Sequence, residues 1–419
     1  MQSLPVGAVS GLYLHWPLCF HKCHYCDFYS IAEPDDRGNR SGALVERMVD
    51  EIAALGPLTA GAIRTIFVGG GTPTLLEPAG WRRLLAAVHG NFDLSGLVEF
   101  TVEANPETVT AELLDTLVGG GVNRLSIGCQ SFDPRHLKTL ERWHEPASVA
   151  RSVDRARAAG LTNINLDLIY AIPGQALAEW RDDLARALAL GPTHLSCYSL
   201  TYEPNTAMTM RLQRGAIEPA DPALEAAMFE ATIDTLTAAG FEHYEVSNFA
   251  RPGDERPGKA TLSRGQTSDA SGEPVAPGEA EGPSRSARGP SARCLHNMLY
   301  WRNGQWLAIG PSASGHVAGV RWKNLPHVGR YLASTGGAPI DPGSIERLDE
   351  DASVGEQLML GLRLIEGVRR EAYEHRLGPR RQHAIEALIE RGLIERTDTH
   401  LRLSRAGLMI GDAVIAELL

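Results

Sequence analysis

Nowhere in its 419 residues does the chain carry roughly 18 consecutive apolar residues, so the sequence offers no membrane span. Its opening stretch, MQSLPVGAVSGLYLHWP, lacks both the basic start and the unbroken apolar run of a secretory signal, and the expected setting is cytoplasmic. Positive charge is also short. Lys and Arg number 40 against 51 Asp and Glu, a net charge of -11, which excludes the many phosphate contacts of a nonspecific nucleic-acid binder. Cysteine is scarce too, with six residues, three of them clustered. In a long chain with reduced thiols, such a cluster serves a metal or catalysis rather than a disulfide framework. Hydrophobic residues at 43% and charged residues at 22% are ordinary globular values, which rule out a fibrous or wholly disordered chain and suit a large domain with a smaller one.

What the sequence does contain is a repeated unit. From Gly11 to about Tyr202, short β-rich apolar runs alternate with helical stretches: GLYLHW, TIFVGG, LVEFTVEANP, NRLSIGCQS, INLDLIY and HLSCYSL. Continuous apolar runs suit parallel strands covered by helices, and the intervening segments, such as TAELLDTLVGGG, show helical spacing and end in Gly. Six such units predict an α/β fold, a partial parallel (βα)6 barrel. The unusual residues follow the strands, where βα barrels build their active sites. Domain boundaries are expected at 1–250 for the barrel and 251–293 for a Gly/Pro/Ser/Glu-rich disordered insertion. Residues 294–345 read as a barrel extension and 346–419 as a C-terminal winged-helix-like, α-rich domain with a packing or lid role.

Directly after the first strand come Cys19, Cys23 and Cys26, separated by three and two residues. Three thiolates on one loop suit a 4Fe-4S cluster with one iron left open, or a structural zinc with His21 or His24 as a fourth ligand. Spacing permits either. The Gly69-Gly70-Gly71-Thr72-Pro73 run after the second strand can bring bare backbone close to a ligand. Carboxylates at Glu103 and Asp167, with Gln130 and Arg142, supply groups able to bind hydroxyls and a carboxylate.

A three-cysteine loop after strand one, followed by Gly-Gly-Gly-Thr-Pro after strand two, resembles the radical S-adenosylmethionine (SAM) superfamily. The resemblance implies a 4Fe-4S cluster on Cys19, Cys23 and Cys26, with SAM on its open iron. It further implies SAM contacts from Tyr13, Tyr25, Gly70, Gly71, Thr72, Glu103, Gln130, Arg142 and Asp167. Outside the insertion, the chain is similar to the oxygen-independent coproporphyrinogen III oxidase-like group, through segments such as Tyr13-Leu14-His15-Trp16-Pro17 and Val102-Glu103-Ala104-Asn105-Pro106.

That group holds oxidative decarboxylases of coproporphyrinogen III and haem chaperones. The decarboxylases resemble one another in a Gly-Cys pair after the third cysteine and in a longer N-terminal extension. Here the pair is Asp27-Phe28, as in the chaperones. His296-Asn297-Met298-Leu299-Tyr300-Trp301 looks like the chaperones' haem-associated motif, so haem contacts are expected at His296, Tyr300 and Trp301. Cys294 is a second candidate iron ligand, and His316 would have to stand in for the group's Gly-Ala-His histidine, since the run here is Gly310-Pro311-Ser312-Ala313-Ser314-Gly315-His316. The resemblance implies haem and a haem-acceptor protein as partners, and leaves homodimerisation and peripheral membrane contact open.

Overall fold

A computed structural model describes residues 7–33, 40–253 and 291–419; the insertion expected at 251–293 lies outside these except for its two flanks. The six expected strands form as β1 (Gly11–Trp16), β2 (Thr65–Gly70), β3 (Glu99–Ala104), β4 (Arg124–Gln130), β5 (Asn163–Tyr170) and β6 (His194–Ser199). Each pairs in parallel with its neighbours, in sequence order. These strands are apolar on both faces because helices cover one side and the barrel interior fills the other. The covering helices include α1 (Arg40–Leu55), α2 (Pro78–Asn91), α3 (Ala111–Gly119), α4 (Pro146–Ala158) and α5 (Leu177–Ala189). Trp16, Trp81 and Trp180 are fully buried in the single core that joins sheet and helices.

Beyond β6 the sheet continues antiparallel through β7 (Glu242–Glu245) and β8 (Asn248–Ala250). At the other edge, β9 (Trp306–Ile309) joins β1 as a seventh parallel strand. It leads into the antiparallel strands β10 (Ser314–Val317), β11 (Val320–Lys323) and β12 (Glu346–Arg347), giving twelve strands in one open sheet. Residues on both sides of the insertion thus build one sheet. The flanks themselves meet, with the Ala292 N–H donating to the Arg251 carbonyl at 3.3 Å.

The C-terminal segment has its own core, built from Val354, Leu358, Ile385, Leu388, Leu401 and Val414 among others. Helices at Glu350–Gly361 and Pro379–Glu390 pack with a three-stranded antiparallel sheet of Val368–Arg369, His400–Leu403 and Ile394–Arg396. The final helix expected from sequence is broken into Arg405–Met409 and Gly411–Ala416, because Ile410 leaves helical geometry at φ -130° and ψ 35°. This unit is sewn to the barrel by backbone: Val246 N–H donates to the Arg363 carbonyl and Ile365 N–H to the Tyr244 carbonyl, at 2.9 and 3.1 Å.

Candidate functional site

The loop after β1 is pinned on three sides. Leu18–Cys19 pairs with Ile31–Ala32, which closes the loop's base. The His15 ring bonds the Tyr29 carbonyl at 2.7 Å. Further out, His24 N–H donates to the Leu140 carbonyl at 3.2 Å, and Met208 N–H to the His24 carbonyl at 2.8 Å. Cys19 is buried, Cys23 and Cys26 half-buried, and all three are free thiols lining one cavity of about 650 Å³. That volume lies within the usual range of small-molecule sites, roughly 300–1,000 Å³.

The loop's geometry bears on zinc versus cluster. Sulfurs on one tetrahedral zinc lie about 3.8 Å apart, given Zn–S near 2.3 Å. Among the described residues, the only trio of His, Cys, Asp or Glu ligand atoms within 4.8 Å of one another is Asp133, His136 and Glu179, far from this loop in sequence. Arg135 already pairs with both carboxylates of that trio at 2.6 Å. The three loop thiols do not form such a trio, and all three face the cavity. Burial pushes the Cys26 thiol up to about 11 and raises Cys19 too, so these two thiols, when bare, stay protonated until a metal displaces the proton. The Arg142 guanidinium lies 3.7 Å from Cys23 Sγ, a counter-charge for a thiolate centre.

Eight of the nine residues expected at SAM converge on this cavity: Tyr25, Gly70, Gly71, Thr72, Glu103, Gln130, Arg142 and Asp167. The glycine run is explained by packing as well as by any ligand. Gly71 N–H donates to the Trp16 carbonyl at 2.6 Å, and a Cβ at Gly71 would sit 2.7 Å from the Leu18 carbonyl. Gly70 has φ +105°, and its N–H donates to Glu103 Oε2 at 3.1 Å. Burial and the neighbouring Asp167 push the Glu103 carboxyl up to about 7. Burial raises Asp167 as well, against hydrogen bonds from Asn165 at 2.8 Å and Ser126 at 3.1 Å. Arg142 Nη2 donates to the Gly128 carbonyl at 2.9 Å, while its buried Nε has no partner. An unpartnered guanidinium N–H among carboxyls and bare backbone fits a ligand that carries a carboxylate, an amine and hydroxyls, as SAM does.

Tyr13 is the ninth, and it does not line the cavity. Its hydroxyl lies 2.9 Å from His15 Nδ1, and its ring stacks on Phe67 at 6.3 Å inside the barrel. Sequence reasoning missed Ser126 and Asn165, which hold Asp167, and Gly128, where a Cβ would meet Arg142 Nη2 at 2.6 Å. It also missed an aromatic rim: Phe20, Phe28 and Trp143 line the cavity yet are 50%, 58% and 56% exposed. The His21 ring stacks on Trp143 at 4.3 Å. Exposed apolar rims of this kind mark contact surfaces. Aromatics interleaved with the cysteines were the available signal.

The haem-motif residues lie elsewhere. His296, Tyr300 and Trp301 sit on α6 (Leu295–Trp301), and none lines the cavity. His296 is fully buried, its Nδ1 2.9 Å from Thr65 Oγ1 and its Nε2 2.8 Å from the Tyr300 hydroxyl. Burial pushes the ring down to about 3, so it is neutral. Trp301 is half-buried, its Nε1 unpartnered and its ring beneath the Arg363 guanidinium at 5.6 Å. Cys294 is packed rather than open: burial pushes its thiol up to about 12, and it lies 3.6 Å from Glu99. His316 bonds the Gly304 carbonyl at 2.9 Å, also outside the cavity. Among the described residues, none of the C-terminal unit lines the cavity.

A hydrogen-bonded chain nonetheless joins the two regions through the barrel. Cys294 N–H donates to the Tyr244 hydroxyl at 3.0 Å, which meets His194 Nε2 at 2.8 Å. His194 Nδ1 lies 2.6 Å from Asn165 Oδ1, and Asn165 donates to Asp167 in the cavity.

Comparison with known proteins settles the family. The chain is 35% identical to the Heme chaperone HemW of Mycobacterium tuberculosis, an alignment covering 99% of this chain and 95% of that one. With the Heme chaperone HemW of Bacillus subtilis it shares 32% identity, over 98% and 99% of the two chains. The chain belongs to the HemW family. The Radical SAM superfamily matches residues 13–187, from Tyr13 past Asp167, and the HemN C-terminal domain matches 348–410. Superfamily membership implies a 4Fe-4S cluster and SAM. The fold of this chain is also similar to that of the coproporphyrinogen III oxidase HemN from Escherichia coli, with TM-score 0.76 over 99% of this chain and 91% of that one. At 20% identity that likeness is one of fold.

Proposed function

We propose that this chain is a haem chaperone: it binds haem and passes it to an acceptor protein, in a cytoplasmic setting where its six thiols stay reduced. The observation that carries this reading is the end-to-end identity with the HemW relatives, set against 20% with the oxidase. Phe28 supports it, because a bulky side chain 58% exposed at the cavity wall stands where the oxidase pattern has a fourth cysteine.

On this reading Cys19, Cys23 and Cys26 hold the cluster, and Tyr25, Gly70, Gly71, Thr72, Glu103, Gln130, Arg142 and Asp167 surround SAM, with Tyr13 acting from behind through His15. Bound together, cluster and SAM supply one-electron chemistry or a sensed redox state. The residues themselves do the holding. Arg142 offers its free N–H and positive charge to a carboxylate, the Gly70–Gly71 backbone admits an amine closely, and Asp167 accepts from hydroxyls. His296 would ligate haem iron, with Tyr300 and Trp301 beside it.

The deciding experiment is anaerobic incubation of cluster-reconstituted protein with coproporphyrinogen III, SAM and a reductant, after iron content is checked. Protoporphyrin fluorescence is expected to stay at background while an oxidase control turns over. Product formation by this chain would replace the chaperone reading with the oxidase one.

A further inference from the structure

The floor of the cavity is backed by polar side chains where the interior of a βα barrel would ordinarily hold Val, Ile and Leu. Ser126, Asn165 and His194 sit opposite one another on β4, β5 and β6, so all three point to the same face of the sheet. All are buried, and of the three only Ser126 lines the cavity. Burying such groups is costly unless each donor and acceptor is matched.

Here the matching admits one arrangement. The Asn165 amide donates from Nδ2 to Asp167 Oδ1 at 2.8 Å and to Ser126 Oγ at 2.7 Å. Its oxygen therefore faces His194 Nδ1, 2.6 Å away. An amide oxygen can only accept, so the imidazole proton sits on Nδ1. His194 Nε2 is then bare and accepts from the Tyr244 hydroxyl at 2.8 Å, while that hydroxyl accepts in turn from Cys294 N–H at 3.0 Å. Burial takes the ring well below the ordinary histidine range, so it stays neutral and carries no second proton to upset this order. Turned the other way, the amide would set its oxygen against the Asp167 carboxylate. Ser126 donates to Asp167 Oδ2 at 3.1 Å, so both carboxylate oxygens are held while the residue lines the cavity.

We propose that His194 is a positioning residue for the ligand site: it fixes the Asn165 amide, and through it the direction in which Asp167 accepts from the hydroxyls of SAM. The proposal rests on the reading of Asp167 as a SAM contact. His194 itself lies outside the cavity, so its loss matters only as long as Asp167 is there to be aimed.

Calorimetric SAM binding to the cluster-reconstituted full chain tests this with His194→Leu, His194→Asn, Asp167→Asn and the double variant of His194→Leu with Asp167→Asn. Removing the imidazole in His194→Leu is expected to weaken SAM binding about ten-fold, as loss of an outer hydrogen-bond partner does. His194→Asn places an amide nitrogen near the position of Nδ1 and should recover affinity to within about three-fold of wild type. Asp167→Asn should itself bind weakly, and adding His194→Leu to it should cost nothing further. An equal loss in both backgrounds, or wild-type affinity in His194→Leu, overturns the positioning role. Wild-type affinity in Asp167→Asn instead discards Asp167 as a SAM contact, a separate failure that removes the reading beneath the proposal. Should His194→Leu fold poorly, the imidazole nitrogen chemical shifts of the wild type decide, assigned against His194→Asn. A neutral ring protonated on Nδ1 is expected, and protonation on Nε2 overturns the proposal.

Discussion

Gly71 shows how much a single missing side chain does in this site. Its N–H bonds the Trp16 carbonyl, and any Cβ would fall within 3 Å of three backbone atoms of Trp16, Pro17 and Leu18, the residues that launch the cysteine loop. Backbone cannot step aside as a flexible side chain can, and overpacking of this kind costs roughly 1–3 kcal/mol. Gly71→Ala is therefore expected to displace the loop, and iron incorporated on reconstitution should fall by at least half while the far-ultraviolet dichroism stays that of the wild type. Full iron loading in that variant would mean the loop tolerates the shift. The glycine run stood out in sequence as a close-approach site, and the three cysteines, Glu103 and Asp167 stood out by their association with the strand runs, whereas Arg142 came only through the resemblance. Contacts between residues far apart in the chain did not stand out. Glu51, for instance, accepts from Asn324 at 2.6 Å and Tyr331 at 2.6 Å across more than 270 residues, and no local pattern announces such a pairing.

At the scale of elements, the six parallel strands declared themselves because each is a short apolar run between a helix end and a turn. The seventh, β9, did not. Its four residues, Trp306–Ile309, lie in a stretch rich in Gly and aromatics, and what makes them a parallel strand is the exposed edge of β1 some 290 residues earlier. The last helix of the chain was expected whole because its apolar spacing continues through Ile410; the break there follows the turn of the chain onto the small C-terminal core. The segment expected to contact haem was legible as a sequence pattern and illegible as a place. Nothing in His296-Asn297-Met298-Leu299-Tyr300-Trp301 says that Thr65 and Phe67 of β2 will enclose the imidazole.

Taken whole, the molecule buries many ionisable groups, and their shifts set how its stability follows pH. Burial lowers His15 and His243 to about 4, and His144 and His296 to about 3. It takes His194 well below its ordinary value. The unfolded chain takes up protons on these rings below pH 6.5 and the folded one does not, so stability is lost as pH falls from there. Glu51, Glu103 and Glu245 act oppositely: raised to about 7, they favour the folded state at low pH and give up that contribution as pH climbs from about 4.5 to about 7. With His24 and His316 also lowered and Asp167 and Asp183 also raised, seven histidines oppose five carboxyls, so the melting temperature of the chain should rise by several degrees between pH 5 and pH 6.5 and then flatten. A melting temperature that falls steadily over that interval would show that the carboxyls dominate.

The proposed haem binding belongs to a chain whose three-cysteine loop and His296 segment occupy different parts of one barrel. Its most direct test is an anaerobic haem titration of the cluster-reconstituted full chain, followed at the Soret band. A saturable band at about one haem per chain, with iron–sulfur absorbance undisturbed, is the result predicted. Haem that adds without saturation, or only as the cluster is lost, would contradict it.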